Sequence, residues 1–212
     1  MIIEMNQTKN FKDMEWEFRE GGNNLALAQS PFEQGRFQIL FNTEVDDLIR
    51  LYYNPSDTSY GRKLENRLSF HILKEENRVG YIVGRTKGRF LKGYAYSEME
   101  YKGTLYQCYE VGMGSKGLFL CIYLGDSLIA TVKKDKNVID FKDNYMLYLI
   151  SDEYFLIVSL FTLYYDVLNF GDILERQVHS STTTIKYTRN KELLEKYDPL
   201  FIQRIQSNES MY

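Results

Sequence analysis

The sequence predicts a mainly β domain with one helix in its interior, and three observations carry that reading. From Arg78 onward, short segments of alternating polarity, rich in β-branched and aromatic residues, are separated by glycine-containing turns. The run Tyr154 to Tyr165 (Y-F-L-I-V-S-L-F-T-L-Y-Y) carries no charge on any helical face and is bracketed by Glu153 and Asp166. It falls short of the roughly 20 apolar residues needed to span a bilayer, so its place is inside the protein's own core. The composition, 44% hydrophobic and 15% aromatic with 18 Tyr, 13 Phe and only 3 Pro, is that of a folded, sheet-rich chain.

The elements follow in order. Met14, Trp16 and Phe18 alternate between Lys12 and Arg19, which is strand periodicity, and Gly21-Gly22 ends the strand. Arg36 to Phe41 reads as a second strand. Thr43 can then cap a short helix, with Val45, Leu48, Ile49 and Tyr52 at helical spacing and Asn54-Pro55 as its stop. Leu68, Phe70 and Ile72 alternate again, and a meander follows whose turns are expected at Lys87-Gly88, Lys102-Gly103, Gly114-Ser115 and Gly125-Asp126. Asn144 to Ile150 is the last strand before the apolar helix, which Ser151 caps and Asp152 and Glu153 favour at its amino end. Beyond Gly171, the expected helix stop, a strand is expected at Thr182 to Tyr187 and a short helix at Lys191 to Tyr197. Asp198-Pro199 breaks that helix, and Ser207 to Tyr212 is expected to fray.

A two-residue turn at Gly114-Ser115 would place Tyr109 opposite Leu120 and Cys108 opposite Cys121, in a non-hydrogen-bonded pair with adjacent side chains. Two cysteines are too few for a disulfide framework and lack metal-ligand spacing, so they are expected to be buried thiols. The amino terminus has no basic stretch leading into an apolar segment, which predicts a cytoplasmic protein without a secretory signal. At 212 residues the chain can bury one core without metals or disulfides, and one domain over residues 1–212 is the simplest division.

The order of elements resembles a known group. Hairpins containing G-Y-I-V-G-R (80–85), G-Y-A-Y (93–96), Y-Q-C-Y-E-V (106–111) and C-I-Y-L-G-D-S-L-I-A-T-V-K-K (121–134), then a strand and an apolar helix, are similar to the tubby C-terminal and LURP-one-related superfamily, which includes the phospholipid scramblases. The resemblance implies a closed antiparallel β-barrel of about twelve strands. A central hydrophobic helix over residues 153–169 would thread it, with short peripheral helices and the 172–212 extension packed outside. It also implies phosphoinositide binding or membrane association in some members. No site residue is carried over from it.

Catalytic motifs are wanting. Gly112-Met113-Gly114-Ser115-Lys116-Gly117 fits G-x-G-x-x-G, but a strand rather than a helix follows it, and no kinase catalytic loop or metal-binding motif lies downstream. It reads as a hairpin turn. His71 and His179 stand in no metal motif, and no G-x-S-x-G elbow is present, so a non-catalytic binding or accessory protein without cofactor is expected, with an enzyme or a pure protein-interaction module as alternatives. A net charge of −3 argues against a nucleic-acid surface. Against that acidic background, residues 78–92 hold Arg78, Arg85, Lys87, Arg89 and Lys92 and no acid. Arg85, Lys87, Arg89 and Lys92 are the candidate site for an anionic phospholipid or other polyanion, with Tyr81, Tyr94 and Tyr96 close enough in sequence to sit at a membrane interface. The other account of these cations is protection of a sheet edge from aggregation.

Overall fold

The computed structural model describes residues 1–11, 13–31, 37–43, 48–53, 69–88, 93–138, 140, 142–170 and 185–209. Twelve antiparallel strands close on themselves. They are β1 (Ile2–Phe11), β2 (Asp13–Glu20), β3 (Asn23–Ser30), β4 (Phe37–Thr43), β5 (Ile49–Tyr53), β6 (Phe70–Lys74), β7 (Asn77–Lys87), β8 (Tyr94–Tyr101), β9 (Thr104–Gly112), β10 (Leu118–Leu124), β11 (Ser127–Lys134) and β12 (Asn144–Leu149). Each strand pairs with its neighbours in sequence, and β1 against β12 completes the ring, so no edge is left open among them. A single 3-10 turn, Asp152–Tyr154, leads into α1 (Phe155–Asn169), and two short helices, α2 (Lys191–Leu194) and α3 (Phe201–Glu209), lie beyond it.

Alternation sorts the strands' side chains. Ile3, Met5, Trp16, Phe18, Phe41, Ile72, Ile82, Met99, Val132 and Leu147 face inward and join α1 in one core. The helix is buried from Ile157 through Val167 without a solvent face. Aromatic edges grip it: Phe70 meets Tyr164 at 5.4 Å, while Phe155 meets Phe18 at 5.9 Å and Phe41 at 6.0 Å between ring centres. At its centre, Thr162 returns its hydroxyl to the Val158 carbonyl at 2.7 Å.

The barrel's two ends differ. At one, strands join through tight reversals at Gly21-Gly22, Glu75-Glu76, Lys102-Gly103 and Gly125-Asp126, with positive φ at Gly21, Gly22, Glu75, Glu76, Lys102, Gly103 and Gly125. At the other, where α1 ends, the strands are joined across residues 31–36, 54–69, 88–93, 113–117 and 135–143. Long connections on a rigid frame are where binding residues concentrate.

Four sequence expectations are corrected. The helix expected after Thr43 is, over Ile49–Tyr53, a strand bonded to β4 and β6: Ile49, Leu51 and Tyr53 are buried while Leu48, needed for a helical stripe, is exposed. Period two and two sheet partners override local helical spacing. The loop after β9 is also longer than two residues, because Gly114–Lys116 forms a 3-10 turn. This moves the register by one, so Tyr109 faces Cys121 and Cys108 faces Ile122. A one-residue slip sends a side chain to the other face; Cys108 therefore lies in the barrel core and Cys121 in a separate cluster outside, and the two cannot form the expected cross-strand neighbours. Ser207 to Glu209, expected to fray, belong to α3. The strand expected at Thr182 to Tyr187 appears, among its described residues, only as a bridge from Tyr187 to Met113. The expected stops at Asn54-Pro55 and Gly171 lie outside the described residues.

The described carboxy-terminal residues coat the outside of the wall. Leu193 of α2, with Leu194 and Tyr197, packs on Tyr94, Tyr109, Val111, Phe119 and Cys121, and Phe201 and Ile205 of α3 cover Tyr148. Lys196 lies 4.7 Å from the centre of Tyr109 and 4.8 Å from that of Tyr123, whose hydroxyl donates to the Lys196 carbonyl at 2.9 Å.

Leu160, fully buried midway along α1, tests the threading directly. Leu160→Ala should cost about 2–5 kcal/mol in urea unfolding through lost burial and an unfilled cavity. A variant as stable as the wild type would place the helix at the periphery.

Candidate functional site

Toward the end where α1 stops, the interior positions of the strands change from apolar to polar. Gln7 follows Met5 on β1, Lys134 follows Val132 on β11 and Glu110 follows Cys108 on β9, while Asp166 comes one turn after Thr162 on the helix. Burial forces these groups to satisfy one another. The Trp16 indole donates to one oxygen of Asp166 at 2.9 Å and the Tyr145 hydroxyl to the other at 2.6 Å. Lys134 and Asp143 form a buried ion pair, and the Lys134 ammonium lies 4.4 Å from the Phe170 ring centre. Gln7 accepts from the Asp143 amide at 3.1 Å. The Ser151 hydroxyl caps the other end of the helix entry by accepting from the Glu153 amide at 3.4 Å.

Asp166 is the carboxylate whose ionisation this arrangement disturbs. Desolvation, followed by the neighbouring Asp143 charge, raises its pKa from 3.8 to about 7, against the two hydrogen-bond donors and Lys134. The same burial holds the Tyr145 hydroxyl well above its usual range, with the Asp166 charge adding to it. The arrangement ties the helix to β2 and β12. It presents no nucleophile to solvent, and among the described residues no group of three or more His, Cys, Asp and Glu side chains is gathered to hold a metal.

Two openings lie at this end. The first is a groove of about 450 Å³ lined by Lys116, Lys133 and Lys136 with Glu4, Asn144 and Met146. The Lys136 ammonium donates to the Ser115 carbonyl, whereas Lys116 and Lys133 have no ion-pair partner among the described residues. The second is a cleft of about 250 Å³ between α1 and the β7–β9 wall, floored by Cys108, Leu120, Phe161 and Tyr164.

The expected anion site is disposed differently from what its charge suggests. Arg85 reaches Glu98 on the adjoining strand with two nitrogens, at 3.1 and 3.2 Å. Lys87 pairs with Glu192 of α2, which raises the lysine's pKa and lowers that of the glutamate. Arg89 and Lys92 lie outside the described residues. Sequence reasoning found this cationic hairpin and missed the Lys116–Lys133–Lys136 groove: Lys133 and Lys136 are close in the chain (K-K-D-K, 133–136), but Lys116 joins them only through the β10–β11 pairing. His71 stands on the outward face of β6 between Tyr52 and Tyr81, and His179 lies outside the described residues.

The glycine-rich segment 112–117 is a docking surface for the chain itself. The Gly112 amide donates to the Thr188 hydroxyl at 2.8 Å, the Thr188 amide to the Gly112 carbonyl at 2.8 Å, and the Gly114 amide to the Lys186 carbonyl at 2.9 Å. A Cβ at Gly112 would collide with Lys186 and one at Gly114 with the Tyr187 ring. The glycines serve close approach of backbones rather than phosphate binding. No family model, curated protein or solved structure matches the chain. The closed barrel around a helix agrees with the tubby-like resemblance at the level of architecture alone.

The Asp166 network makes stability depend on pH with a definite sign. Between the unfolded value of 3.8 and about 7 the folded chain holds a proton that the unfolded chain has lost, so this group's contribution falls as pH rises through that window and is level above it. Asp166→Asn removes the titration. Its amide can accept from only one of the Trp16 and Tyr145 donors, at a cost of about 1–3 kcal/mol. Urea unfolding from about pH 4 to about pH 8 should therefore give a steeper loss of stability for the wild type than for the variant. Parallel profiles would show that Asp166 is ionised throughout.

Proposed function

We propose that this protein is a non-catalytic binding protein that attaches peripherally to anionic phospholipid on the cytoplasmic side of a membrane, through the rim of the barrel where α1 ends. The observation that carries the reading is the juxtaposition of free cations and exposed apolar side chains on that rim. Among the described residues Lys116 and Lys133 have no ion-pair partner, Lys136 is held beside them on Ser115, and the adjacent Tyr187 is 71% exposed although its ring lies on Gly114. Ile185, two residues before it, is 60% exposed. A tyrosine and an aliphatic side chain beside lysines suit the boundary between head groups and acyl chains.

The magnitudes agree with reversible attachment. Each lysine near an anionic surface contributes about 1 kcal/mol, so three give on the order of a hundredfold in affinity, screened by salt. Arg85 and Lys87 rank behind them because Glu98 and Glu192 already meet their charge. No helix among the described residues is long and apolar enough to cross a membrane.

Vesicle co-sedimentation decides between the two cationic surfaces. With phosphatidylcholine vesicles containing phosphatidylinositol bisphosphate at low salt, Lys116→Gln/Lys133→Gln/Lys136→Gln should lose most binding and Tyr187→Ala part of it. The quadruple Gln variant at Arg85, Lys87, Arg89 and Lys92 should retain it. Loss only in the second variant would move the site to the β7–β8 hairpin, and absence of wild-type binding would favour a protein partner.

A further inference from the structure

The cleft between α1 and the β7–β9 wall is not used by the proposed membrane surface, and its lining is unlike the rest of the barrel interior. Across the barrel, Trp16, Phe18, Phe37, Phe41 and Phe70 fill the space against the helix. On this side the inward positions carry Gly84, Thr86, Ala95, Ser97 and Cys108. Alternation puts Thr86 and Ala95 on the same face as Ile82 and Met99, which are fully buried, yet Thr86 and Ala95 are exposed. Solvent thus reaches the interior face between wall and helix. The opening measures about 250 Å³, and a cavity of roughly 150 Å³ accommodates benzene.

Its polarity is graded. Leu120, Phe161, Tyr164 and Cys108 form the deep part, and Glu110, Tyr165 and Asn169 the rim, with Tyr165 about one helical turn and Asn169 about two from Phe161. Glu110 is an inward-facing carboxylate that is 20% exposed. Burial and the Glu110 charge together hold the Tyr165 hydroxyl in its protonated form. The other rim charge, Arg85, is engaged by Glu98. Lys186, 55% exposed, reaches in from the segment docked on Gly112 and pairs with Glu110. An ammonium from the chain itself occupies the carboxylate at the mouth of an aromatic-floored cleft.

We infer that this cleft is a binding site for a small amphiphilic cation, an aromatic or short aliphatic body of about two rings carrying one primary ammonium. The apolar body lies against Phe161 and Tyr164, and the ammonium displaces Lys186 from Glu110. Concave, mostly apolar openings with a few convergent polar groups are where small ligands bind, and Glu110 sets the sign of the charge.

Tryptamine is a suitable probe, with indole-3-acetate as its like-sized anion. Titration followed by amide and side-chain chemical shifts should give saturable tryptamine binding with shifts at Ser97, Cys108 and Tyr164, and much weaker binding of the acetate. Glu110→Gln should weaken tryptamine about tenfold or more, the loss of a charge-assisted hydrogen bond. Lys186→Gln should tighten it severalfold by removing the competing ammonium, an effect opposite in sign to any general loosening of the fold. Ala95→Phe, which fills the mouth without removing a buried group, should abolish it. Equal binding of cation and anion, shifts confined to the outer face, weaker binding in Lys186→Gln, or undiminished binding in Ala95→Phe would each overturn the assignment. None of these results depends on vesicle binding, so the site and the membrane surface stand or fall separately.

Discussion

An α-helix that is apolar on every face has to be covered on every face, and a single sheet covers only one. Closure of twelve strands around α1 meets that requirement and at the same time satisfies the backbone of every strand, since a ring has no edge. The two conditions support each other. Without the helix the barrel would enclose a large apolar void; without closure, residues Ile157 to Val167 would meet water on at least one side. The short inward side chains of β7–β9 and the polar groups near Asp166 are departures from that filled interior, and both lie toward the end where the helix stops.

That end carries the features with chemical consequence. At the other end, the reversals at Gly21-Gly22, Glu75-Glu76, Lys102-Gly103 and Gly125-Asp126 are tight. Around the end of α1, Trp16–Asp166–Tyr145 holds helix and wall together, Lys134–Asp143 pairs beside it, and the lysine groove and the β7–β9 cleft open at the same end. Burying an ion pair gives little net stability over a well-packed apolar alternative, whereas removing one partner is expensive. The pair joins β11 to the 135–143 connection, whose Asp143 amide donates to Gln7 of β1, and it places the Lys134 ammonium over Phe170 at the end of α1. The segment 185–188 adds to the rim by strapping across Gly112 and Gly114.

Much of the architecture was legible because it depends on local pattern. The charge-free run ending at Asp166 marked the internal helix, and Met14, Trp16 and Phe18 marked β2. Reversals at Lys102-Gly103 and Gly125-Asp126 followed from glycine's tolerance of positive φ. What failed depended on partners that a local window does not contain: Ile49–Tyr53 is a strand because β4 and β6 flank it. Glu75-Glu76 turns without glycine, and the Gly112–Gly117 loop has the length needed to receive Lys186 and Tyr187, which moved the cysteine register by one. The site was legible only as charge. Arg85 and Lys87 stood out in the chain, but their carboxylate partners come from β8 and α2, while the unpaired lysines are assembled by strand pairing and by Ser115.

Native-state hydrogen exchange of the α1 amides tests most directly whether the helix is enclosed. If the closed barrel holds it on all sides, the amides from Val158 to Val167 exchange only when the whole domain unfolds, with a free energy equal to that from urea denaturation and to that of central β1 and β12 amides. Exchange of the helix amides at a lower free energy than those strands, through an opening that leaves the sheet intact, would contradict it.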